Sequence, residues 1–114
     1  SLAEGLAGLH AKRRLNVVTA DNGKKAIQML RTALFDAVLT DLNLPVLNGY
    51  HVLDYLSNKY PNIPVIVMTA LDEAESLLQR FNIRQLIEKP VDFRVIANAV
   101  LALRQPKQLH AVSR

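Results

Sequence analysis

The chain has 114 residues, a length suited to one domain, and half of them are hydrophobic, which supplies a packed core and argues against disorder. It has no cysteine, which excludes disulfides and thiolate metal sites and fits a reducing cytoplasm. No apolar run approaches the roughly 18 residues of a membrane span, the N-terminus lacks the basic-then-apolar leader pattern, and the net charge is +4. That charge comes from short runs, Lys12-Arg13-Arg14 and Lys24-Lys25, and from Lys107 and Arg114. Without interleaved aromatics these read as solvated helix ends rather than a nucleic-acid footprint.

Leu2, Leu6 and Leu9 fall on one face of a first helix, with Arg13-Arg14 near its end, where cations suit the dipole. Residues 16–20 (NVVTA) read as a strand and Asp21-Asn22-Gly23 as a turn. The spacing of Ile27, Leu30 and Leu34 predicts a helix over Lys24 to Ala33. Ala37-Val38-Leu39 opens a near-continuous apolar run, the pattern of a buried parallel strand, and the run ends on Asp41. Pro45 to Gly49 is a loop, because proline removes a donor and Asn48-Gly49 favours a turn.

A helix is predicted over Tyr50 to Tyr60, apolar at Val52, Leu53 and Leu56, and is ended by Pro61. Val65-Ile66-Val67-Met68 is a second buried strand and stops at Thr69-Ala70. Asp72 to Phe81 reads as a helix with acids in its first turn, and Asn82 suits a left-handed C-terminal conformation. Ile83 to Glu88 is another strand, running into Lys89-Pro90. Asp92 suits the cap of a last helix whose stripe is Val95, Ile96, Ala99, Val100 and Leu103, and which Pro106 ends. The domain is accordingly expected over 1–105, with 106–114 as a tail or linker. His10, His51 and His110 show no metal spacing and are read as surface residues.

Strands alternating with helices predict an α/β fold with a parallel sheet and right-handed crossovers. In such sheets ligands bind beyond the carboxyl ends of the strands. Asp41, Thr69 and Lys89 stand at three successive strand ends and are expected to converge on one small pocket.

Residues 39–45 (LTDLNLP) with the Asn48-Gly49 turn, 65–70 (VIVMTA) and Glu88-Lys89-Pro90 together resemble the receiver domain of two-component response regulators, chemotaxis-regulator-like. The turn over 19–23 resembles the family's turn after its second strand. The resemblance implies a flavodoxin-like doubly wound sheet of strand order 2-1-3-4-5. It implies that Asp41 accepts a phosphoryl group from a sensor histidine kinase or phosphotransfer protein, and that the domain is a switch, not an enzyme. Thr69, Ala70 and Lys89 would bind the phosphoryl group. Asp41 and the Asn43 backbone carbonyl would hold Mg²⁺ beside an acidic pair. Thr69 and Leu86 would occupy the switch positions, and Asn43 and Leu71 those that tune phosphoryl lifetime. The Lys89-Pro90 bond resembles a family site with a cis peptide. The surface of the fourth helix, fifth strand and fifth helix would signal to an effector.

One part of the family pattern has no counterpart here. Receivers open with an apolar strand ending in the acidic pair, whereas this chain begins within the first helix. Glu4 lies in that helix and Asp21 follows the second strand, so neither replaces the pair. The sequence therefore reads as an N-terminally incomplete receiver, with a poor Mg²⁺ site and two inner strand edges open to pairing with another chain. Leu86 stands where the family often carries an aromatic residue. These departures support an alternative, a pseudo-receiver acting as an unphosphorylated interaction module. A small α/β enzyme or ligand-binding domain of another family is disfavoured. The chain has no Gly-rich phosphate loop and no nucleophile–His–acid set.

Overall fold

The computed structural model describes residues 5, 6, 8, 15–70, 72, 74–103 and 106–113. Its elements in chain order are β1 (Asn16–Ala20), α1 (Gly23–Thr32), β2 (Ala37–Asp41), α2 (Gly49–Lys59), β3 (Val65–Thr69), α3 (Ala74–Arg80), β4 (Gln85–Glu88), α4 (Phe93–Leu101) and β5 (Gln108–Val112). All four strand pairings are parallel, in the order β1-β5-β2-β3-β4. Each predicted helix and strand over residues 16–101 is present, with ends moved by up to two residues. Of the expected first helix, Gly5, Leu6 and Gly8 are described and helical. Its Leu2, Leu9, Arg13 and Arg14 lie outside the described residues.

The sheet separates two apolar layers because successive strand side chains point to opposite faces. Val38, Val65, Val67 and Val112 pack against Ala26 and Leu30 of α1, Val52, Leu53 and Leu56 of α2, and Leu77 of α3. Leu39, Ile66, Ile87, Leu109 and Ala111 pack on the other face with Leu6, Leu15 and the α4 residues Ile96, Ala99 and Val100. β2 and β3 are buried along their whole length, as their unbroken apolar runs require.

Side-chain caps fix the helix starts. Asn22 accepts from Lys25 N at 2.9 Å, Asn48 from Tyr50 N at 3.0 Å, and Asp92 from Arg94 N at 2.8 Å. The Arg94 side chain also donates to Asp92, and this hydrogen bonding holds the Asp92 carboxyl below the usual carboxylate range. The contribution is present above the unfolded carboxylate range and is lost as pH falls through the lowered value. The expected left-handed Asn82 is not found. Val46, with φ 66°, is the one non-glycine residue with positive φ among those described.

The main correction concerns the C-terminus. Residues 108–112 are a strand, not a linker or tail, and that strand is central. β5 pairs with β1 from Asn16↔Gln108 to Ala20↔Val112, and with β2 from Ala37↔Leu109 to Thr40↔Val112. It therefore fills the central slot between β1 and β2, and the two inner edges expected to lie open are paired within the chain. The premise for dimerisation through those edges falls with them.

Specific contacts seat β5. The Asp36 carboxylate accepts from Lys107 N at 3.0 Å and Gln108 N at 2.9 Å. His110 is not a surface residue: it is fully buried, its Nδ1 lies 3.0 Å from Val18 O and its Nε2 3.2 Å from Ala26 O. Its ring stacks on Phe35 at 4.6 Å. A polar ring is tolerated there because, whichever nitrogen carries the N–H, a backbone carbonyl stands within reach to accept from it. His51 is exposed, as expected, and His10 lies outside the described residues.

Candidate functional site

Asp41 closes β2, and only 8% of its surface is exposed. Burying a carboxylate is costly unless it is paired and hydrogen-bonded. Both conditions are met on Oδ1, which accepts from Lys89 Nζ at 2.7 Å and from Asn43 N at 2.9 Å. Lys89 reaches Asp41 because β4 ends at Glu88 and its own N–H donates to Thr69 O at 2.9 Å, which ties the two strand ends together. The Lys89-Pro90 peptide is cis, as the resemblance implied.

Two cavities open on this pair, one toward each face of the sheet. One, about 460 Å³, is lined by Asp41, Asn43, Asn48, Thr69, Ala70 and Lys89. The structure thus brings together Asp41, Asn43, Thr69, Ala70 and Lys89. Leu86 sits apart, half-buried on β4 against the apolar layer under α1 to α3. Leu71 lies outside the described residues. The second cavity, about 480 Å³, shares Asp41 and Lys89 but is otherwise mostly apolar, with Met68, Val91, Phe93 and Ile96 beside Ser113.

Sequence reasoning missed Asn48 and Ser113. Asn48 was legible as a turn residue, and its role as cap of α2 brings it to the cavity wall. Ser113 carried no signal, because its position follows from β5.

The loop after Asp41 is held by close approaches. A Cβ on Gly49 would lie 2.5 Å from Leu42 Cα and 2.7 Å from Asp41 O, backbone atoms with no freedom to retreat. Gly49→Ala is expected to cost roughly 2–3 kcal/mol, read from urea unfolding, and to displace Asp41. Val46 lies in the same loop, 72% exposed and in the left-handed region that β-branched residues disfavour. Val46→Asn is expected to raise stability by about 1 kcal/mol in the same assay, since asparagine tolerates that conformation.

The donor set was tested against Mg²⁺, which takes octahedral oxygen coordination, with one or two carboxylates among its ligands. Among the described residues no three His, Cys, Asp or Glu side chains cluster. Among the described residues Asp41 is the one carboxylate lining either cavity, and its Oδ1 already faces an ammonium group. These residues do not fit the ion.

No helix among the described residues is long and apolar enough to cross a membrane. The response regulator receiver domain model matches residues 1–101, so β5 lies beyond the matched span. The response regulator protein PilR of Pseudomonas aeruginosa is 30% identical over 101 residues, 84% of this chain and 23% of PilR. The transcriptional regulatory protein ZraR of Escherichia coli K12 is 32% identical over 80 residues, 68% of this chain and 18% of ZraR. The chain thus spans about a fifth of the length of these bacterial regulators. Among solved structures, the receiver domain of the Pseudomonas aeruginosa sensor histidine kinase PA1611, described with magnesium in its active-site cleft, superposes with TM-score 0.68. That match is at 20% identity over 84% of this chain and 82% of that one, and it supports the fold. With its parallel sheet, its strand-end Asp41 and Lys89 pair and the match over residues 1–101, the chain belongs to the response regulator receiver domain family.

Proposed function

We propose that the chain is a phosphorylation switch in which Asp41 accepts a phosphoryl group from a histidine-phosphorylated partner, a sensor kinase or phosphotransfer protein. The observation that carries this reading is the 2.7 Å contact of Lys89 with Asp41 at the mouth of a cavity also lined by Thr69. Because Oδ1 is engaged by Lys89 and Asn43, the attack is assigned to Oδ2. Its lone pair forms the new P–O bond, the P–N bond to the donor imidazole breaks, and that nitrogen keeps the electron pair. The product is an acyl phosphate on Asp41. Such transfers depend on positioning and charge compensation, which Lys89 supplies as a compact cation.

The phosphoryl group brings about −1.5 to −2 charge and strong acceptor oxygens. The Thr69 hydroxyl and the Ala70 backbone N–H, on the wall of the same cavity, would be the donors that meet it. Their movement would be transmitted through the face of α3, β4, with Leu86, and α4 to an effector. In this reading the domain itself does not engage a membrane, and it is a cytoplasmic regulator, not an enzyme.

The absence of a second carboxylate beside Asp41 among the described residues favours one rival, an interaction module that is never phosphorylated. Incubation with phosphoramidate and intact-mass measurement separates the two. The switch reading expects one added phosphoryl group. An unmodified protein under conditions that label another receiver would favour the interaction module.

A further inference from the structure

We propose that position 113, at the end of β5, decides whether this site takes a divalent cation, and that with serine there the Asp41 charge is balanced by Lys89 instead of by a metal. The inference rests on Asp41 being the reactive group of the site. Its basis is strand register. Ala37 is level with Leu109 and Leu39 with Ala111, so the next step in the same alternation sets Asp41 level with Ser113. Leu39, Leu109 and Ala111 share the apolar layer under α4, so Asp41 and Ser113 share that face as well. Both line the same cavity of about 480 Å³.

Adjacent strands are about 4.8 Å apart, so an acid at 113 would set two carboxylates within reach of one cation. Serine offers one neutral hydroxyl. Met68, Val91, Phe93 and Ile96 complete that side of the cavity and offer no charge. The positive charge that the site needs comes from Lys89, 2.7 Å from Asp41 Oδ1. The strand that occupies the central slot thereby sets the ionic character of the site, through Ser113, the described residue that it sets level with Asp41.

Thermal unfolding of the full chain with and without millimolar MgCl₂, at constant ionic strength, tests this without any phosphorylation. The wild-type midpoint is expected to stay unchanged, and that of Ser113→Asp to rise by about 3–5 °C on adding the ion. Ser113→Asn, similar in shape but uncharged, is expected to behave as wild type. A Mg²⁺-dependent rise in the wild type, or a folded Ser113→Asp chain that gains nothing, overturns the proposal. If Ser113→Asp does not fold, trace Mn²⁺ added to the wild type decides by NMR. Undisturbed amide signals at Asp41 and Thr69 support the proposal, and selective broadening there refutes it. Failure of Asp41 to take a phosphoryl group leaves both readouts intact, so the two readings fail separately.

Discussion

His110→Ala is expected to lower the unfolding free energy by about 3 kcal/mol, from lost ring volume and the lost hydrogen bond of the ring N–H to a backbone carbonyl. The ring is fully buried, stacks on Phe35 at 4.6 Å, and lies within 3.2 Å of carbonyl oxygens on β1 and α1. Alanine leaves a cavity that the flanking strands cannot close without breaking their pairing. β5 bridges β1 and β2, so the loss is expected to spread beyond one residue. Urea unfolding measures the magnitude, and hydrogen exchange should show lower protection in β1, β2 and β5 together. A change within about 0.5 kcal/mol, the usual range for a surface site, would mean that β5 does not occupy the central slot.

Asp41→Asn is expected to abolish phosphoryl labelling while leaving the fold in place. The amide keeps the shape of the carboxylate but is a far weaker nucleophile and carries no charge for Lys89. The stability cost should be about 1 kcal/mol or less, because the Lys89 side chain is 37% exposed and water can take over as its partner. Asp36→Asn is the matched control. Its carboxylate is occupied by the N–H groups of Lys107 and Gln108, so its loss should weaken β5 but leave labelling intact. Intact-mass measurement after phosphoramidate treatment reads both variants. Persistent labelling of Asp41→Asn would move the acceptor elsewhere.

The order of elements from residue 16 to residue 101 was legible because each signal was local. The apolar runs of β2 and β3 are unbroken, Asp92 is a cap, and Pro45 and Asn48-Gly49 mark a loop. The convergence of Asp41, Thr69 and Lys89 was legible from the rule that parallel strands end on one side of a sheet. β5 was not legible as a strand for a physical reason. Gln108 to Val112 is short, follows Pro106-Lys107, and carries a histidine in its middle. Its place depends on pairing with residues 72 to 92 positions earlier, which local propensity does not report. The burial of His110 and the role of Ser113 both follow from that pairing, and so were missed with it. Val46 was invisible for the opposite reason. Its sequence neighbours suggest an ordinary loop, and a β-branched residue gives no signal of the left-handed conformation it adopts.

Asp41 as the phosphoacceptor is tested most directly by mapping the modified residue. Treatment with phosphoramidate, reduction with borohydride and peptide sequencing by mass spectrometry convert an aspartyl phosphate to homoserine at its own position. Homoserine at 41, and at no other carboxylate, is the predicted result. Homoserine at another acid, or none in a protein that carries the phosphoryl mass, would contradict it.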